Sequence, residues 1–127
     1  MVNNKTCFII KNIFKLDLYK NNIINKHNKN KDNNLNLKSF IRNLIYKLNL
    51  GSVNNIKIIN NRYSYNVICY FNKWYISSNS IYLQSIISDN NTLTIFSSKL
   101  YITIYNLDTN HLNNKKRLID KIITCFQ

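Results

Sequence analysis

The sequence predicts an α+β fold, with helices early and an antiparallel sheet late. Two observations carry that prediction. Leu37, Phe40, Ile41, Leu44, Ile45 and Leu48 recur at i, i+3, i+4, i+7, i+8 and i+11, one apolar stripe on a helix. After Gly51 the apolar period shortens to two: Tyr63, Tyr65, Val67, Cys69 and Phe71 alternate with Ser64, Asn66, Ile68 and Tyr70. A length of 127 residues suits one domain, or two small lobes sharing a core. The expected lobes are residues 1–72, α/β in the order helix, strand, helix, hairpin, and residues 73–127, mostly antiparallel β.

In residues 6–19, Ile9, Ile13, Leu16 and Tyr19 have helical spacing, and Lys11 and Lys15 lie four apart, which predicts a first helix. The overlapping basic segment 5–20 faintly resembles a mitochondrial presequence, but it lacks Arg and Ser and contains Asp17, which favours a helix of the mature fold. Ile23 and Ile24 suggest a short strand. Residues 25–36 are polar and low in complexity, as in a solvated loop or a mobile basic arm. The second helix is expected over residues 37–50, capped by Asn34 or Asn36 and ended by Gly51 in the left-handed conformation. A hairpin follows, 53–59 with 62–71, around Asn60 and Asn61, a pair that tolerates positive φ. Strand-like pieces continue at 74–77, 81–87, 93–96, 100–105 and 119–126. The polar stretch 106–117 ends in Lys115, Lys116 and Arg117.

Composition narrows the chemistry. The chain has 26 Asn and 21 Ile, one Gly and no Ala, Pro or Glu. The abundant residue types have AT-rich codons, so the gene reads as that of an extremely AT-rich genome, organellar genomes among them. One glycine excludes a Gly-rich phosphate loop, and without Glu there is no paired-Glu acid/base site. The five Asp are scattered. Cys7, Cys69 and Cys125 lack metal spacing and read as small buried hydrophobes in a reducing compartment. His27 and His111 lie far apart, and no nucleophile, base and orienting group stand together. The reading is therefore no enzyme, no metal and no cofactor. No apolar run approaches the ~18–20 residues of a membrane span.

The net charge is +13, from 18 Lys and Arg against five Asp. Its natural partners are polyanions: RNA, DNA or acidic membranes. Codon bias explains many Lys but not the scarcity of acids. Nine Tyr, six Phe and one Trp can stack on unpaired bases, although their alternation in strands places most of them in the core. Tyr63 and Tyr65, beside Arg62, are the stacking candidates. Neither a helix-turn-helix nor a zinc ligand set accompanies the second helix, so a sequence-reading contact with DNA is not expected.

The stretch 37–53 resembles the second helix of bacterial and organellar small-subunit ribosomal protein S-eight, an apolar helix leading to Gly51, Ser52 and Val53. Residues 56–59 and Cys69, Tyr70 and Phe71 resemble that family's hairpin; residues 93–96 and 120–126 resemble two later strands, and 8–15 its basic first helix. The family's Ser-Thr-Ser-x-Gly loop is matched only by polar residues 105–110, and the glycines before its last strand are replaced by Arg117, Leu118 and Ile119. The resemblance implies a constituent of an organellar small ribosomal subunit, in a plastid slightly rather than a mitochondrion. Its partners would be the central domain of small-subunit ribosomal RNA and neighbouring ribosomal proteins, with a role in assembly and translation. Lys11, Lys15, Lys38 and Arg42 would hold phosphates; Asn106, Asp108, Thr109 and Asn110 would approach the minor groove, helped by Lys115, Lys116 and Arg117. The alternative is a peripheral subunit of an organellar membrane complex, held to anionic lipid by its basic start.

Overall fold

The structure, a computed structural model, describes residues 7–89, 91–97 and 99–106 and the backbone of 120–124. The chain runs β1 (Cys7–Phe14), α1 (Lys15–Lys20), α2 (Asn30–Leu48), β2 (Gly51–Asn60), β3 (Ser64–Trp74), α3 (Ser78–Ser88), β4 (Thr92–Ser97), β5 (Leu100–Asn106) and β6 (Asp120–Thr124). The class is α+β, with a helix-and-strand first part and a β-rich last part. All six strands form one sheet in the order β2-β3-β1-β5-β4-β6. Every pairing is antiparallel except β4 with β6, which is parallel. Because β1 and β2 both run antiparallel to β3, they are parallel to each other and joined through the helices, a split β-α-β unit. β1 pairs with β3 on one side and β5 on the other, so the strands of both halves share one sheet, and residues 72 and 73 fall inside β3.

The expected first helix is instead this central strand. Its sequence, CFIIKNIF, is rich in β-branched and aromatic residues. Ile10 pairs with Val67 and with Ile104, so backbone partners exist on both sides. The spacing Ile9, Ile13, Leu16 and Tyr19 does not follow one element: Ile9 and Ile13 flank a bulge, where the register shifts between Ile10 and Ile13 and Asn12 has φ 58°, and Leu16 and Tyr19 belong to α1. One extra residue puts Ile10 and Ile13 together in the core three positions apart, while Ile9 is on the other face. Only the six residues of α1 are helical here, and Ile23 and Ile24 lie in the turn that follows rather than in a strand.

The second helix is longer than expected. It begins at Asn30, after the non-capping Lys29, so residues 30–36 of the expected loop are helical. Asn33, not Asn34 or Asn36, secures that end: its buried side-chain amide donates to the Asn25 carbonyl at 2.9 Å and its oxygen accepts from the Asn25 N–H at 3.0 Å. The left-handed residue closing the helix is Asn49 (φ 57°, ψ 47°), whose N–H reaches the Ile45 and Tyr46 carbonyls. Gly51 opens β2 instead. A Cβ there would lie 2.3 Å from the Lys73 carbonyl oxygen, so glycine is required by close strand approach.

The hairpin is present, with Asn61 N–H donating to the Ser64 carbonyl at 2.9 Å. Neither Asn60 nor Asn61 is among the described non-glycine residues with positive φ, which are Asn12, Asn22, Asn49 and Lys99. Residues 81–87, expected as a strand, belong to α3, and 75–77 are irregular. The Ser77 hydroxyl accepts from the Ser80 N–H at 3.1 Å and caps the helix, which buries Leu83, Ile86 and Ile87. Leu37, Ile41 and Leu44 of α2 and Leu83 and Ile86 of α3 join one apolar core with Phe8, Ile10, Val67, Ile95 and Ile102 of the sheet.

Candidate nucleic-acid interface

Strand alternation gives the sheet a second face. Phe8 and Ile10 point into the helix-covered core; Cys7, Ile9 and Lys11 point the other way. Across that second face, Ile9 stands between Ile68 and Tyr105. The row continues with Thr103 and Thr94, whose hydroxyls lie 2.9 Å apart, and with Phe96 and Tyr101, whose rings are tilted at 4.7 Å. The buried residues of α2 and α3 belong to the opposite, core face. Lys11 Nζ lies 4.8 Å over the Tyr105 ring, a cation–aromatic pair that aligns positive charge with a stacking surface.

At one end of the sheet three segments converge. They are the end of β1 with the start of α1, the tip of the β2–β3 hairpin, and the turn before β5. The Lys15 backbone N–H donates to the Tyr63 carbonyl at 2.9 Å and ties the first to the second. Two clefts open there, sharing Phe14 and Asp17. One, of about 430 Å³, is lined by Lys11, Lys99, Tyr101, Thr103 and Tyr105. The other, of about 540 Å³, is lined by Lys15, Leu16, Tyr19, Arg62 and Tyr63. Exposure is high for apolar groups: Phe14 is 53% exposed, Leu16 57%, Tyr63 69% and Tyr101 69%. The Arg62 guanidinium sits 5.2 Å over the Tyr63 ring, and Lys15 Nζ lies 5.0 Å over that of Tyr65.

This arrangement sorts the residues expected to bind RNA. Lys11 and Lys15 come together at the converging end, but on a strand and at a helix start rather than on one basic helix face. Lys38 and Arg42 lie on α2, which packs on the other side of the sheet, so they do not join them. Asn106 ends β5, and its side-chain amide donates to the Ile87 carbonyl at 3.2 Å, tying β5 to α3. Asp108, Thr109, Asn110, Lys115, Lys116 and Arg117 lie outside the described residues. Of the two stacking candidates, Tyr63 is exposed, whereas Tyr65 is buried at 2% exposure and belongs to the core. Burial, with a smaller contribution from Tyr19, raises the Tyr65 phenol above its usual value. Sequence reasoning passed over Phe14, Lys99, Tyr101 and Tyr105. Phe14 joins β1 to α1 and Lys99 lies in the turn before β5, and the two tyrosines alternate along a strand whose other residues fill the core.

Cys69 is buried and Cys7 half-buried; Cys125 lies outside the described residues. Burial pushes the Cys69 thiol far above the ordinary range, which suits a packing role. Among the described residues, no group of three or more His, Cys, Asp or Glu stands close enough to hold a metal ion, and no helix is long and apolar enough to cross a membrane. No protein family, no curated protein and no solved structure matches the chain.

Proposed function

We propose that this chain is an RNA-binding, non-catalytic component of a ribonucleoprotein particle. The particle favoured by the sequence resemblance is the small ribosomal subunit of an organelle, with its central-domain ribosomal RNA as the ligand. The observation that carries the RNA reading is the convergence of Lys11, Lys15, Arg62 and Lys99 with exposed Phe14, Tyr63 and Tyr101 at one end of the sheet, in a chain of net charge +13. The cations engage phosphates and the rings engage bases, the two requirements of RNA recognition outside regular helices.

Four phosphate contacts to single-stranded RNA give a slope of about −3 in the logarithm of the binding constant against that of salt concentration. Lys11→Ala and Arg62→Ala should each reduce the slope by about 0.7. Lys115→Ala with Lys116→Ala tests the basic stretch after β5 in the same way. Fluorescence anisotropy with labelled RNA, titrated at several salt concentrations, measures all three. Salt-independent binding, or no binding, would count against the proposal.

A further inference from the structure

We propose that the cleft between α1 and the hairpin tip receives a single unpaired nucleotide, stacked on Tyr63, with a preference for bases that carry an exocyclic amino group. The proposal rests on the RNA reading above and names the ligand of one part of that surface. The cleft's volume of about 540 Å³ is within the range of small-ligand sites. Its walls are unusually apolar for a surface so basic: Phe14, Leu16 and Tyr63 each expose more than half of their area. Lys15 and Arg62 stand at the same cleft, so the complementary occupant pairs a flat apolar body with negative charge. A nucleotide has that combination; an acyl chain lacks the flat body, and an acidic peptide lacks the stacking face.

The geometry also holds the cleft open. The Lys15 N–H to Tyr63 carbonyl bond fixes the hairpin tip against the start of α1, so the ring needs little reorganisation to accept a base. The Arg62 guanidinium lies 5.2 Å over one face of the Tyr63 ring, so the base takes the opposite face, with the cation left for its phosphate. Asp17 is the acidic residue of the cleft. A carboxylate repels phosphate but accepts hydrogen bonds from the amino groups of adenine, cytosine or guanine. Uracil has no amino group, and its one ring N–H lies between two carbonyl oxygens that repel the carboxylate, so it gains less.

The test uses the full chain and labelled homopolymeric RNA of about a dozen A, C or U nucleotides, with an abasic ribose-phosphate strand of equal length. Tyr63 is exposed, so its replacement leaves the core intact. Tyr63→Ala should weaken binding to the A strand by roughly five- to a hundred-fold while Tyr63→Phe retains it, and neither should alter abasic-strand binding. The wild type should prefer A and C to U, and Asp17→Asn should reduce that preference while tightening binding overall. If RNA binds but Tyr63→Ala is silent and the abasic strand binds equally well, the stacking site is overturned and the RNA reading stands. If A, C and U bind alike and Asp17→Asn leaves their ratio unchanged, the base preference is overturned. If none of the strands binds, the RNA reading fails and the site with it.

Discussion

Gly51 shows how one position carries two elements. The sequence suggests a helix stop, yet Asn49 takes the left-handed conformation and Gly51 lies where β2 meets the end of β3. A Cβ at Gly51 would be 2.3 Å from the Lys73 oxygen and 2.9 Å from Phe71 Cδ2. The first neighbour is backbone and cannot rotate away. Gly51→Ala should therefore destabilise the fold by about 1–3 kcal/mol, measured by urea unfolding. A change within error would mean that the strands separate there at no cost. Cys69 gives a pH prediction. Its folded thiol titrates above the unfolded one, so the folded state keeps a proton that the unfolded state loses. The stabilising contribution is complete below the ordinary thiol value of about 8.5 and declines as pH rises, by at most about 1.4 kcal/mol per pH unit. Tyr65, also raised, adds a decline in the same direction at higher pH. Unfolding curves between pH 8 and 10 should show the loss, and Cys69→Ala should flatten it; equal slopes for the two proteins would contradict the assignment.

At the scale of elements, legibility followed the purity of the periodicity. The stripe from Leu37 to Leu48 became the buried face of α2, and the alternation through residues 63–71 became β3 because both signals are uninterrupted. The spacing Ile9, Ile13, Leu16 and Tyr19 suggests one helix because it runs across the bulge at Asn12 and on into α1, joining two elements. α3 was misread in the opposite direction. Its isoleucines have strand propensity, while the cap at Ser77 and the burial of Leu83, Ile86 and Ile87 decide for helix. The start of α2 was hidden by composition. In a chain with 26 Asn no single Asn draws notice, yet Asn33 is 4% exposed and holds both backbone groups of Asn25. Asn33→Leu keeps the branched outline but leaves those groups unpaired, and should cost about 1–3 kcal/mol. Amide exchange at Asn25 should accelerate in the variant. Unchanged protection there would show that the turn before α2 is held by other contacts.

At the scale of the whole molecule, the sheet separates two tasks. One face is packed by α2 and α3 into the core, and the other, with the converging loop ends, carries Lys11, Tyr101 and Tyr105. The charge of +13 was visible in the sequence, but its partition was not, because Lys11 and Lys15 on one side and Lys38 and Arg42 on the other are assigned by the fold. Tyr63 could be picked out by its neighbour Arg62; Phe14 and Tyr101 could not, since only tertiary convergence brings them to the same end. The measurement that reaches the central claim most directly is sedimentation of an organelle lysate through a sucrose gradient in magnesium, with and without ribonuclease, following this protein against the ribosomal RNAs. The proposal predicts that it travels with small-subunit RNA, survives a moderate-salt wash and returns to the top after ribonuclease. Remaining at the top without ribonuclease, or floating with membranes, would contradict it.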